Sequence, residues 1–246
     1  MTQPDATVLG VIQARMGSSR LPGKVLQPLH GRPVLSWVCR AARASTQLDD
    51  VVVATTTEQQ DDAVVDWCAE NEIAVVRGST DDVLGRFLVV ADAFRPDAIV
   101  RLTADCPLLD PALIDGVVGL WRARRADYVS TVVQRSLPRG LDVELVRADV
   151  LRQIDGLAVG HDRSHVTSYV YGHPERFDVM GVSVQPDASD LRVTLDTVED
   201  ALLLDGLTDL LGDQITGWRN LVDTLRSHPA LVELNARVVQ KSLEEG

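Results

Sequence analysis

Val11-Ile-Gln-Ala-Arg-Met-Gly-Ser-Ser-Arg-Leu-Pro-Gly-Lys24 is an apolar run that breaks at a glycine-serine turn and ends in a basic loop. Leu9 to Ala14 reads as a short buried strand, apolar apart from Gly10 and Gln13. Gly17, Ser18 and Ser19 stop it before a helix can form. The charge pattern gives this loop its meaning. The chain carries a net charge of −12, yet no aspartate or glutamate lies between Asp5 and Asp49, a window that holds six basic residues, Arg15, Arg20, Lys24, Arg32, Arg40 and Arg43. Lys24 and Lys241 are the only lysines in the chain. An ordinary surface loop of an acidic protein has no reason to gather such charge without counter-ions. A phosphate loop does: Gly17 and Gly23 permit positive φ, which lets successive N–H groups face an anion, while Arg15, Arg20 and Lys24 supply charge around it. The glycine patterns of dinucleotide-binding turns and of P-loops are both absent.

Outward from this loop the pattern alternates. The predicted order is strand 8–14, helix 34–45, strand 51–55, helix 61–71, strand 74–77, helix 82–94, strand 98–103 and helix 111–124. This is a doubly wound α/β beginning. In the second helix Ala63, Val64, Trp67 and Cys68 share one face and read as core. Beyond Asp127 the pattern loosens into strands near 127–133 and 142–146, a helix around 164–172, strands near 177–184 and 192–195, and helices 198–211, 218–226 and 230–243. A chain of 246 residues can bury one substantial core, so residues 1–246 are expected to form a single domain. Three widely spaced cysteines without a C-x-x-C pair suggest neither disulfides nor structural zinc. The acidic balance excludes a nucleic-acid partner, which needs a broad basic surface. No signal peptide or membrane-length apolar run is present, and a cytoplasmic location is expected.

Two carboxylates stand out. Asp105 follows Ala98-Ile-Val-Arg-Leu-Thr-Ala104, just past the carboxyl end of a strand that Pro107 keeps from running on, where open α/β sheets collect ligands. Asp196 stands in the same relation to Arg192-Val-Thr-Leu195. If those strands are neighbours, the two carboxylates can share one cation, as Mg²⁺ bound to a triphosphate requires. Asp196-Thr-Val-Glu-Asp200 also reads as a helix start, leaving a capping role open for Asp196. Asp110 before Pro111 is the natural cap of the helix after Asp105.

Ala14 to Lys24 resembles the signature of cytidylyltransferases that make CMP-activated acidic sugars, and is most similar to the branch named after a spore coat polysaccharide biosynthesis protein. Arg77-Gly-Ser-Thr-Asp-Asp-Val-Leu84, Arg101-Leu-Thr-Ala-Asp-Cys-Pro-Leu-Leu109, Leu137-Pro-Arg-Gly-Leu-Asp-Val-Glu144, His165-Val-Thr167 and Leu191 to Asp200 fit the same branch in order. The resemblance implies a single Rossmann-like nucleotidyltransferase domain of the nucleotide-diphospho-sugar transferase type. Its sheet would be mixed but mainly parallel, with a small element across 127–190 serving the acceptor or a dimer. It implies CTP and Mg²⁺, a small anionic acceptor and a homodimer. It assigns catalysis to Arg15, Lys24 and Asp105, and the metal to Asp105 and Asp196. Nucleotide binding falls to Ala14, Arg15, Gly17, Ser18, Ser19, Arg20, Lys24 and Asp105, with Arg77, Gly78 and Ser79 near the base, although Ser79 also reads as a local helix cap. Acceptor candidates are Arg139, Asp142, Glu144 and His165, with His161 nearby. The branch usually has Glu before that histidine; Ser164 here removes a negative charge. Two rivals remain. A nucleotide-sugar glycosyltransferase would present Asp-x-Asp where this chain has Thr103-Ala-Asp-Cys106, and a silent nucleotide-binding protein would have no need of Arg15, Lys24, Asp105 and Asp196 together. Cys106 has no base placed to make it a nucleophile.

Overall fold

The computed structural model describes residues 6–240. Among them a seven-stranded sheet is built from β1 (Val8–Gln13), β2 (Asp50–Thr56), β3 (Ala74–Gly78), β4 (Ala98–Thr103), β5 (Tyr128–Ser130), β6 (Glu144–Arg147) and β7 (Val179–Gly181), in spatial order β3-β2-β1-β4-β6-β5-β7. The first four strands are parallel, β6 runs antiparallel between β4 and β5, and β7 is parallel to β5. The apolar runs are buried on both faces, as parallel strands under two helical layers must be. Side-chain alternation divides the core. Val8, Ile12, Val53, Val100 and Leu102 pack with α1 (Val34–Ala44), α2 (Asp62–Glu70) and the later α4 (Pro111–Arg124). Leu9, Val11, Val52 and Ile99 face α3 (Val83–Phe94) and α5 (Ala148–Ile154) on the other side.

Chain direction reverses between β1 and β4: from β1 the chain moves outward through β2 and β3, then returns to β4. Such a switch point leaves a crevice at the carboxyl ends of the two strands.

The elements through α4 follow the predicted order within a residue or two. Asp110 caps α4 as expected, accepting from Ala112 N at 2.8 Å with Pro111 in the first turn. Beyond that the structure corrects the sequence reading. The predicted helix 164–172 is two five-residue helices, α6 (His161–His165) and α7 (Ser168–Gly172), split at Val166, whose φ is +58°. No strand forms over 192–195; the segment makes a single bridge, Arg192 to Arg139. The predicted strand 177–184 contracts to β7, and α5 was not foreseen. Helices α8 (Val198–Leu211), α9 (Trp218–Ser227) and α10 (Pro229–Asn235) complete the described chain; residues 241–243 of the last predicted helix lie outside it. Among the described residues no helix is long and apolar enough to cross a membrane.

Candidate active site

The loop after β1 is held by an acid that the sequence window did not contain. Asp61, 1% exposed at the start of α2, accepts Met16 N at 2.6 Å and also takes the Thr56 hydroxyl. Gly23 is left-handed (φ +73°) and caps the 3₁₀ turn Lys24–Leu26, which carries Lys24 into the sheet end. Gly17, read as a second left-handed position, is absent from the residues with positive φ; its open side faces the Gln60 amide instead.

Lys24 is the hub. Only 8% exposed, its Nζ donates to Asp105 Oδ2 at 2.7 Å, to Asp196 Oδ1 at 2.7 Å and to the Leu195 carbonyl at 2.8 Å. Burial would depress the ammonium, but the two carboxylates outweigh it and its pKa is raised. Burial likewise pushes Asp105 up, and the Lys24 charge and hydrogen bond, with a 2.6 Å bond from Thr103 Oγ1, bring it down to about 2. Cys106 moves the other way: burial and the adjacent Asp105 carboxylate raise it well above the usual thiol value, so it is no thiolate nucleophile.

Asp196 reaches this cluster along an irregular strand-like segment. Leu195 N donates to the Asp105 carbonyl at 2.8 Å and Val193 N to the Arg139 carbonyl at 2.7 Å. This crossing needs Gly140, at φ +106°, where a Cβ would lie 2.6 Å from Thr194 N. The capping question is also answered. The cap of α8 is Thr197, in a reciprocal capping box with the buried Asp200, so Asp196 is free for the site. Arg192 braces it, spanning Asp196 at 2.8 Å and Asp200 at 2.8 Å, and Arg20 approaches it at 3.1 Å.

Asp105 and Asp196 therefore converge on one cationic atom. Two hard carboxylate oxygens within hydrogen-bond reach of a common point suit a Mg²⁺ that takes its remaining ligands from phosphate and water. Among the described residues no group of three or more His, Cys, Asp or Glu side chains placed to hold a metal forms.

The crevice beside the cluster is a cavity of about 700 Å³. Of the predicted nucleotide residues it gathers Arg15, Ser18, Ser19, Arg20, Lys24 and Asp105, together with Asp196. Ala14 is buried beneath it, and Arg77, Gly78 and Ser79 are outside its lining. Arg77 is spent on the loop after β2, donating to the carbonyls of Thr56 and Glu58 and to Asp62. Gly78 makes room for the Arg86 side chain, and Ser79 Oγ accepts Asp82 N at 3.3 Å. Thr80 and Asp81, the next residues, do line the cavity.

The predicted acceptor residues Arg139, Asp142, Glu144 and His165 all line the far side; His161 does not. They are not equally available. Glu144, buried on β6, is saturated by Arg101 directly across the strand pair, by Tyr128 Oη at 2.6 Å and by the Thr167 hydroxyl. Asp142 is gripped by Arg135 at 2.6 and 3.2 Å. Arg139 forms no salt bridge or hydrogen bond with a carboxylate among the described residues, although Asp142 and Asp196 act on its charge from further off. Burial, with Arg135 and Arg192 nearby, lowers its pKa. His165 ends α6 at a γ-turn centred on Val166, closed by Thr167 N to His165 O at 2.6 Å, a strained form that a β-branched residue adopts only where packing enforces it. Sequence reasoning missed Gln13, Arg101 and Arg135. The first two had a signal: polar residues at alternate positions near the carboxyl ends of apolar strands, both on the α3 side.

The sheet, the switch-point crevice and the cluster of loop cations with strand-end carboxylates define a nucleotidyltransferase of Rossmann-like fold. The family described as Cytidylyltransferase matches residues 9–210, and the chain belongs to it; its chemistry is CTP-dependent transfer of CMP. The chain is 34% identical, over 215 residues spanning 84% of it and 88% of the relative, to the spore coat polysaccharide biosynthesis protein SpsF of Bacillus subtilis. It is 43% identical over 107 residues, 43% of this chain and 42% of the relative, to the 3-deoxy-manno-octulosonate cytidylyltransferase of Acidobacterium capsulatum. A solved cytidylyltransferase structure from Leptospira borgpetersenii superposes with a TM-score of 0.89 at 30% identity, covering 96% of this chain and all of that one.

Proposed function

We propose that the protein transfers CMP from CTP to a hydroxyl of an anionic acceptor, a sugar acid or a related phosphate or phosphonate, in the assembly of a surface polysaccharide or comparable product. The observation that carries this reading is one cavity joining the Lys24–Asp105–Asp196 cluster to Arg139, an arginine without a salt bridge or hydrogen bond to a carboxylate among the described residues. The acceptor oxygen attacks the α-phosphorus in line, the new phosphorus–oxygen bond forms as the hydroxyl gives its proton to water, and the bond to the β-phosphate oxygen breaks to release pyrophosphate. Arg15 and Lys24 offset charge gathering on the α-phosphate and the leaving group, and the loop from Ser18 to Arg20 holds the remaining phosphates. Asp105 and Asp196 would hold Mg²⁺, which when bound neutralises triphosphate charge. The base lies against Thr80, Asp81 and Val83, on a segment that Arg77 and Gly78 hold in place from outside the cavity. Residues 127–190 form the acceptor side, where Arg139 meets the acceptor's anionic group and Asp142, Glu144 and His165 shape its surroundings. The names of the relatives support the pathway class. A cytoplasmic homodimer is part of the same reading, and light scattering tests it.

Pyrophosphate release tests the reaction. With Mg²⁺, CTP should outperform UTP, ATP and GTP, and an octulosonic acid, a nonulosonic acid or a phosphonate should outperform a neutral hexose. A purine preference, or equal rates with the neutral sugar, would overturn the proposal.

A further inference from the structure

The ammonium of Lys24 has three N–H donors, and three acceptors already fill them: Asp105 Oδ2, Asp196 Oδ1 and the Leu195 carbonyl. A lysine so committed cannot also bind a phosphate. It must release at least one partner before it can touch CTP. The point it occupies is also the point on which both carboxylates converge, and Lys24 is the one cation among the described residues that touches both; Arg20 and Arg192 reach Asp196 alone.

We infer that Lys24 is the built-in counter-ion of the nucleotide-free site, holding the place of the divalent cation until CTP draws the lysine away. This rests on the metal role proposed above for Asp105 and Asp196 and adds to it an obligatory exchange. Without nucleotide, a divalent cation must displace a buried ammonium that would be left with no anion to pair with, and an unpaired buried charge is strongly disfavoured. With CTP bound, the triphosphate accepts the released N–H donors and completes the metal's ligand set, so the two transfers offset one another. Metal and nucleotide then bind with positive coupling, and each raises the affinity of the other by the same factor. A free metal ion does not load the site, and the carboxylates are never left facing one another without a cation.

The exchange is read by titrating Mn²⁺ into the full-length protein and following free metal by its electron paramagnetic resonance signal, with and without CTP. Wild type should take up Mn²⁺ at this site only when CTP is present. Lys24→Ala and the bulkier, hydrogen-bonding Lys24→Gln should each bind Mn²⁺ without nucleotide roughly tenfold or more tightly than wild type, because the site loses its internal cation. Adding Asp105→Asn to either variant should abolish that gain. Nucleotide-free wild type that binds Mn²⁺ as tightly as the lysine variants would overturn the inference. So would lysine variants that bind none, while wild type still takes up the metal with CTP and Asp105→Asn prevents it; the metal reading would then survive alone. No uptake by any form in the presence of CTP would overturn both.

Discussion

The proposed nucleotide side and the proposed acceptor side of the cavity are built by opposite strategies. From β1 to α4 the chain gives the main sheet strands of five to seven residues, joined by regular parallel crossovers, and a loop whose basic residues lie close together in sequence. From Tyr128 to Asp196 it uses strands of three or four residues, two five-residue helices and an irregular crossing at 192–195. The loop cations of the first region come from a short stretch of chain. The charges of the second are mostly paired, Glu144 with Arg101 of β4 across the sheet and Arg135 with Asp142 seven residues further on. The first side is thus assembled locally by backbone and loop charge, whereas the second depends on ion pairs, one local and one across the sheet, that fix which groups remain free. The two strategies meet at Lys24, where Asp196 arrives from the second region to join Asp105 of the first.

The largest expected effect breaks the meeting point itself. Lys24→Ala should lower kcat for pyrophosphate release roughly a thousandfold, the usual consequence of deleting a donor to developing phosphoryl charge, with the circular dichroism spectrum unchanged. A rate within a few-fold of wild type would remove Lys24 from the chemistry. Gly140→Ala attacks the joint from the acceptor side. The new Cβ would stand 2.6 Å from Thr194 N and the residue would be held at φ +106°. Urea unfolding should show a loss of about 2–4 kcal/mol, with Asp196 drawn away from Lys24. Gly31→Ala is the control: φ is +77° but nothing lies within 4 Å of the added carbon, and about 1 kcal/mol is expected. Equal costs would show that the backbone crossing does not set the position of Asp196.

The same contrast explains what could be read in advance. Strands β1 to β4 were legible because apolar runs buried on both faces leave a strong local signal, and Asp105 was legible because Pro107 marks where its strand must end. The basic loop was legible from missing acids, but its tether was not: Asp61 lies far along the chain and looks like one more surface carboxylate before a helix. Beyond Tyr128 the signals weaken for a physical reason. The break at Val166 is imposed by packing, with Val166 itself fully buried, and no glycine announces it. Segment 192–195 has strand composition, yet its partners are the Asp105 and Arg139 carbonyls at the sheet's end. In α5, Val150, Leu151 and Ile154 do carry a helical spacing, but seven residues are too few for periodicity to stand out.

A smaller effect sharpens the comparison through pH. Asp105 is depressed from 3.8 to about 2, so its ionised, lysine-paired form contributes stability at pH values above about 4, and this is lost as pH falls through the folded value. In metal-free buffer, the unfolding free-energy difference between wild type and Asp105→Asn should shrink by about 2 kcal/mol between pH 5 and pH 2. A difference that does not change with pH would mean that the Lys24 contact adds nothing to the folded state of the nucleotide side.

Arg139→Ala should have the smallest effect and should separate the two regions most cleanly. Arg135 and Arg139 both line the acceptor side, but Asp142 neutralises Arg135 in a forked pair, so an incoming anion finds its charge already spent. Arg139 makes no ion pair of its own; burial first, then Arg135 and Arg192 nearby, lower its pKa more than Asp142 and Asp196 raise it. An anionic acceptor relieves that crowding and a neutral one does not. Removing the guanidinium should therefore raise KM for the anionic acceptor about tenfold, the scale of one charge-assisted hydrogen bond, and leave the dissociation constant for CTP within about twofold. Arg139→Lys should restore part of the loss by supplying charge without the planar fork. If Arg139→Ala weakens CTP as much as it weakens the acceptor, Arg139 serves the triphosphate, and the boundary between the two sides of the cavity must move past it toward Arg135.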